Sequence, residues 1–587
     1  HEIGFAIIAT TLVLAGVFLP VAFMGGMIGR FFYEFAVTVA FAVVCSTFVA
    51  MTVVPMLCSR FLKLGSANFQ VFRIFDRIME GAANFYRVSM RAVLRRRLWM
   101  VLVAGLALAG GLWLYALLGQ ELITEEDQGR FMVRLQTPLS YSMDKTEGVR
   151  QRVEDHLKTI PEVSHFFSFT GFGGANRASA FVTLVPRGER SRSQQQIQSE
   201  VRRFLRGLPD VRGNATAISP LGGGQRAEDV QLVIQGPDIA VLDRISRELM
   251  NEIETTPGYS GVSRDLEIGK PEVRVRIDRE KAAEAGISVE NIAATVGALL
   301  GGIEVADFKE GGKSYEIRLR LQAEQRQLPG DVQRIYLRGG TGELLDVSGF
   351  VSIEEGVGPS VINRLDRQRS ATVYATLEEG KLLGAAIPEV QALATTLLPE
   401  GYVVKFSGSA ETLGETGRYV LFAFLLATVL TYMVLASQFE SFSQPLAIMT
   451  GLPLSFIGAF GLLLLLGNTL NLYSMIGLVL LIGLAAKNGI LLIDYANQLR
   501  RSGVGLDEAL VEAGATRLRP ILMTAISTIA GVLPVALGIG EGSESRQPMA
   551  VAISGGLFSS TVLTLAVVPV IYSYLDQFSR WRGFGKF

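Results

Sequence analysis

Along this chain the hydrophobic positions fall into two regimes. In the first, apolar residues run on almost without interruption, near 4–24, 35–58, 98–118, 417–436, 445–466, 473–497, 521–540 and 549–575. Each run predicts a helix able to cross the ~30 Å of a bilayer's hydrocarbon. In the second regime, residues 119–414, apolar and polar positions alternate. FMVRLQTP (131–138), PEVRVRID (271–278) and SYEIRLRL (314–321) predict half-buried strands. Helical periodicity lies between them, at 142–160 and 193–208. From 131 to 236 the order predicts β-α-β-β-α-β, a split βαβ unit. A second unit is expected to start near 239 and resume near 370 after an insertion. Residues 66–95 predict an amphipathic helix lying in the membrane interface with arginines on its wet face. The fold class expected is an α-helical polytopic membrane protein with a large α+β domain of ferredoxin-like subdomains plus an insertion.

Eight spans put both ends on one side, and charge says which. Segments 59–97, 498–520 and 576–587 carry 9, 4 and 3 Lys/Arg, against only Arg30 and Arg546 in the short loops opposite. The basic side is expected to be cytoplasmic. The net charge of zero gives no hint of nucleic acid. Cys45 and Cys58 fall in or beside one span, so free thiols are expected rather than a disulfide.

An internal repeat adds a second constraint. LPVAFMG from Leu19 returns as LPVALGI from Leu533, and Pro20, Pro55, Thr10, Ser46 and Thr47 meet Pro534, Pro569, Thr524, Ser560 and Thr561 at one offset of 514 residues. Duplication of this kind is common in transporters. The second copy starts near 98, so the first is expected to start roughly 420 residues upstream of His1. The chain reads as a fragment, and the counterpart of Lys487 would lie just before its first residue.

Lys487 stands near the middle of GLAAKNGILLIDYANQLR (483–500). A lysine there costs roughly 2.5–3.5 kcal/mol on insertion scales. Asp494 shares its helix face but lies ~10 Å along the axis. The bland reading is a snorkelling side chain; the functional one is a counter-ion to a carboxylate elsewhere. Asn488 and Thr524 fit either proton coupling or plain bonding between helices. Arg517 and Arg519 are explained as well by the positive-inside bias as by proton access, and the four prolines by helix shaping.

In FFSFTGFGGANRASAF (166–181), alternation puts Phe167 and Phe169 on one face. The cluster is either ordinary core or the wall of a pocket for amphiphiles. Other chemistry fails to assemble. GGG at 222–224 lacks the GK[ST] of a phosphate loop. His156 and His165 lack metal spacing, and Met132, Met143 and Met250 form no soft-metal cluster. Asn214 heads a sequon by chance. No cofactor, metal site or nucleophile–base pair is expected, which argues against an enzyme.

ASQFESFSQPLAIMTGLPLSFIGA (436–459), GLAAKNGILLIDYANQLR, RLRPILMTAISTIAGVLPVA (517–536) and GQELITEEDQGRF (119–131) resemble, over the whole chain, the resistance–nodulation–division superfamily in its hydrophobe/amphiphile multidrug efflux branch. The resemblance implies the portion from the fifth to the twelfth transmembrane helix of an inner-membrane drug/proton antiporter. Its domains would be two transmembrane helices (1–60), a cytoplasmic connector (61–97), a transmembrane helix (98–118), a periplasmic region (119–414), five transmembrane helices (415–576) and a cytoplasmic tail (577–587). Within the periplasmic region it implies porter subdomains at 125–236 and at 237–285 with 370–412, around a docking insertion at 286–369. It further implies a homotrimer joined to a periplasmic adaptor and an outer-membrane channel. Lys487, Asn488, Thr524 and Arg517 would serve proton coupling, with the acidic partners on the absent fourth helix. Phe167, Phe169, Phe172 and Phe181 would line the substrate pocket, and Gly171 to Asn176, including Gly173, would form its switch loop. That loop is shorter than usual, and Gly174 replaces an aromatic. Metal export within the superfamily, or a protein-export or lipid-sensing role on the same fold, are the competing readings.

Overall fold

The computed structural model describes residues 4–61, 70–218, 228–340, 342–540 and 542–581. The GGG run and most of the expected tail lie outside them. The chain opens with apolar helices α1 (Gly4–Ala22), α2 (Gly26–Met51) and α3 (Val53–Phe61). The break falls at Thr52, whose hydroxyl bonds back to the Phe48 carbonyl, so the second expected span is two helices meeting just before Pro55. The amphipathic stretch forms α4 (Gln70–Arg95), followed by α5 (Arg97–Leu117).

The alternating region then folds as expected in kind and differs in its boundaries. Strands β1 (Arg130–Gln136), β2 (Val163–Gly171), β3 (Gly174–Leu184) and β4 (Arg212–Ala217), with helices α6 (Met143–Lys158) and α7 (Gln194–Arg206), make the first unit. Its antiparallel sheet runs β2-β3-β1-β4. Ser142 and Ser193 cap the two helices, the latter in a reciprocal box with Gln196. Phe131, Val133 and Leu135 alternate inward from β1 against Ile197, Val201 and Leu205 of α7.

The second unit begins earlier than the sequence suggests, at β5 (Val230–Gln235). This strand does not close the first unit at 236. It pairs with a strand at 368–377 on one side and one at 403–407 on the other, which makes it central and buries nearly all of it. It is followed by α8 (Ile239–Thr255) and β6 (Tyr259–Arg264). The insertion likewise opens at 268 rather than 286. There β7 (Ile268–Ile277) leads into α9 (Arg279–Glu284), α10 (Val289–Gly301), the hairpin β8 (Ile303–Glu310) and β9 (Lys313–Leu319), β10 (Tyr336–Arg338), β11 (Leu344–Asp346) and β12 (Val351–Pro359). The pairing of β12 back onto β7 ties off the insertion, which has its own core around Ile292, Val332 and Val347. Then β13 (Asn363–Leu365), β14 (Gln368–Leu377), α11 (Leu383–Leu397) and β15 (Val403–Ser407) complete the second sheet.

The two units keep separate cores. Ion pairs and hydrogen bonds cross between them: Arg134–Glu228 at 3.2 Å, Arg206–Glu378 at 3.2 Å and Asn214–Thr376 at 2.6 Å. A cavity of about 310 Å³ lies on this seam between Arg202, Arg206 and Glu378.

Helices α12 (Ser409–Phe439), α13 (Gln444–Met449), α14 (Gly451–Leu465), α15 (Leu472–Arg501), α16 (Leu506–Ala536) and α17 (Ser543–Trp581) follow. Among the described residues seven helical stretches are long and apolar enough to cross a membrane. The eighth expected span is the 19-residue α1, Gly4–Ala22. Glycines let α14 and α17 touch backbone to backbone: Gly458 and Gly555 face each other, and Gly451 faces Thr564.

Candidate functional site

Helix α15 is wrapped on most sides. Ala485, Ala486, Asn488, Gly489 and Ile490 are all buried. Lys487 sits among them, partly buried, and among the described residues it has no ion-pair or hydrogen-bond partner. Asp494 is engaged elsewhere: it accepts from Gln498 at 2.9 Å and faces the charge of Arg517.

The other expected coupling residues lie on neighbouring helices without closing on the lysine. Asn488 donates to the Thr561 hydroxyl of α17 at 3.4 Å. Thr524 turns back to its own helix, donating to the Ile521 carbonyl at 3.0 Å. Arg517 stacks 4.7 Å over the ring of Tyr495, and its Nε has no acceptor among the described residues. Thr561 and Tyr495 were not singled out from sequence for this site. Thr561 was visible only as a repeat position, and Tyr495 carried no signal.

The phenylalanines form one patch. Phe167 pairs in register with Phe181 across β2 and β3, and the Phe169 ring lies 5.8 Å from Phe167, 6.0 Å from Phe172 and 6.2 Å from Phe181. They lie on the face of the sheet away from its core, with Phe172 83% and Phe167 65% exposed. Phe166, one residue out of phase, packs on the core instead. The cluster thus stands outside the core of its own sheet. Gly171, Gly173 and Gly174 take positive φ at the hairpin tip, a turn that side chains disfavour.

Between these two regions runs the segment 119–128. Its four carboxylates reach in different directions. Glu121 accepts from Thr469 before α15, and Glu126 from Ser545 at the start of α17. Asp127 pairs with Arg190 and caps α7 through the Gln194 amide at 3.0 Å. Burial alone would raise the Asp127 carboxyl, but these bonds together hold it below the usual range. Asn471 completes the joint by capping α15 and donating to Thr124 at 2.9 Å. A run of acids directly after a span was the available signal for this joint.

Known proteins share this arrangement of sequence. The AcrB/AcrD/AcrF family profile matches residues 1–576. An uncharacterized transporter of Haemophilus influenzae is 31% identical over 98% of the chain and 56% of its own length. Multidrug resistance protein MdtC is 30% identical in Escherichia coli and 29% in Yersinia enterocolitica, each over 98% of the chain and 57% of the relative. The chain thus spans a little over half the length of these relatives. It belongs to the AcrB/AcrD/AcrF family, in the hydrophobe/amphiphile branch of the resistance–nodulation–division superfamily, and is a multi-pass bacterial inner-membrane protein with a large periplasmic domain.

Proposed function

We propose that this chain is the larger part of a proton-driven efflux pump for amphiphilic or hydrophobic compounds. The observation that carries the proposal is Lys487, a cation in the interior of an apolar helix with no partner among the described residues. A charge so placed is costly and marks a functional site by default. In this reading, acidic groups from outside the chain face Lys487. When they take up a proton, their hold on the ammonium weakens and it moves toward Asn488 or Thr524. A change of partners of this kind biases a two-state bundle. The joint at 119–128 would carry the shift to α7 and the porter subdomains. The electrical part of the driving force is ~2.3 kcal/mol per charge per 100 mV.

The exposed Phe167, Phe172 and Phe181, with the half-buried Phe169, would supply one wall of the substrate pocket, with Gly171 to Asn176 as its movable rim. Large rings and few hydrogen-bond groups suit amphiphiles of varied shape. Assembly as a homotrimer with a periplasmic adaptor and an outer-membrane channel belongs to the same proposal. In the complete transporter, Lys487→Ala should abolish dye efflux while leaving a folded, normally expressed protein. Lys487→Arg should be badly impaired, since a planar fork does not replace a compact ammonium. Near-normal efflux by a well-expressed Ala variant would overturn the coupling role.

A further inference from the structure

Helix α4 has two working faces, and among the described residues only one of them is covered by protein. On the first, Tyr86, Met90 and Leu94 are buried, and the Tyr86 hydroxyl donates to the Leu565 carbonyl at 2.8 Å. Three arginines on or beside this helix pair with the start of α16: Arg87 with Glu512 at 2.9 Å, Arg91 with Glu508 at 2.9 Å and Arg97 with Asp507 at 2.8 Å. The other face carries Ile74, Ile78, Phe85 and Val88, whose spacing of 4, 7 and 3 residues keeps them on one stripe. All four are exposed, Phe85 to 76%.

Arg77 and Arg95 border this stripe. They are 18 residues apart, five full turns, so they share one edge of the helix about 27 Å apart along it. Arg96 follows at the turn into α5. Among the described residues none of these three arginines has a side-chain partner. Leu98 and Trp99, directly beyond, are also exposed, and a tryptophan there marks the level of the lipid headgroups.

We propose that α4 is an anionic-phospholipid site: the stripe enters the acyl boundary, and Arg77, Arg95 and Arg96 hold lipid phosphates. Charge complementarity selects this occupant. An apolar stripe edged by unpaired guanidinium groups at headgroup depth fits a negatively charged leaflet, and guanidinium binds phosphate in a two-pronged fashion. The arginines bound to α16 are spoken for and contribute little. The inference rests on the chain being a membrane protein, not on its pumping activity.

The test uses the complete transporter in bilayer discs of mixed phosphatidylglycerol and phosphatidylethanolamine, with retained lipids counted by native mass spectrometry. Replacing Arg77, Arg95 and Arg96 with Gln should lower phosphatidylglycerol retention about 5-fold per arginine, from ~1 kcal/mol each, and leave phosphatidylethanolamine unchanged. Replacing Arg87, Arg91 and Arg97 with Gln should leave both unchanged. The fluorescence of a separate Phe85→Trp variant should be quenched by brominated phospholipid, which reads the stripe without depending on headgroup charge. Equal phosphatidylglycerol retention in the first triple variant would overturn the proposal. So would a Phe85→Trp variant that brominated lipid fails to quench, which would mean that protein covers the stripe.

Discussion

Replacing Gly458 by alanine tests how tight the α14–α17 contact is. A methyl group at 458 would lie 2.5 Å from Ser559 Cβ and closer still to the Gly555 carbonyl oxygen. Carbons pack best at about 3.5–4.0 Å, so the helices must part by about 1 Å. That separation also stretches the Ser559 hydroxyl's bonds to the Leu454 and Ser455 carbonyls, now 3.2 and 3.1 Å. Overpacking costs roughly 1–3 kcal/mol, and each interhelical bond adds about 0.6 kcal/mol. The sum is about 2–4 kcal/mol, which at ~2–4 °C per kcal/mol lowers Tm by roughly 5–15 °C. The control is Gly461→Ala, where the added methyl meets only Leu114 at an ordinary 3.7 Å. Thermal melts of the purified transporter, followed by size-exclusion of the soluble fraction, compare the two. Equal melting of Gly458→Ala and Gly461→Ala would show that the joint has slack and refute the reasoning.

Truncating Phe167 or Phe172 to Ala should change which amphiphiles are exported while leaving expression unaltered, because both rings are exposed and outside the core; an unchanged resistance spectrum in both counts against a pocket wall. Asn471→Ala should cost about 1–3 kcal/mol, through loss of a helix cap and of a buried bond to Thr124, and is read as lowered Tm. Burial pushes the Asp229 carboxyl from its ordinary 3.8 up to about 7, so the folded domain favours its protonated form. That contribution is full below about pH 4 and is lost as the pH rises from about 4 through 7; Asp229→Asn should flatten this part of the stability–pH curve, and an unaltered slope would rule Asp229 out as its source.

How much of this was legible depended on whether the signal was local. Unbroken apolar runs and period-two alternation are properties of neighbouring residues, so spans and strands could be read directly. Pairing partners are not local. Nothing in VQLVIQ says that it is the centre of the second sheet rather than the last strand of the first; only β14 and β15, far along the chain, decide it. The same limit hid the joint at 119–128, whose carboxylates find partners near 190, 470 and 545. In the phenylalanine cluster, alternation correctly put Phe167 and Phe169 on one face. It could not say which face, and the sheet's register against α6 and α7 supplied that answer. Lys487 was conspicuous for the opposite reason: the apolar run that surrounds it on its own helix is entirely local.

The polar seam between the two sheet units has a thermodynamic consequence. Parting two apolar cores would wet hydrocarbon and raise the heat capacity. Parting Arg206 from Glu378 exchanges one set of solvated charges for another, and parting Arg134 from the buried Glu228 wets polar surface, which does not raise it. Opening should therefore carry little heat-capacity change, and its equilibrium should respond to ionic strength over the range where a Debye length shrinks toward about 8 Å. A periplasmic cleft built this way is tuned by the salt in the water around it more than by temperature.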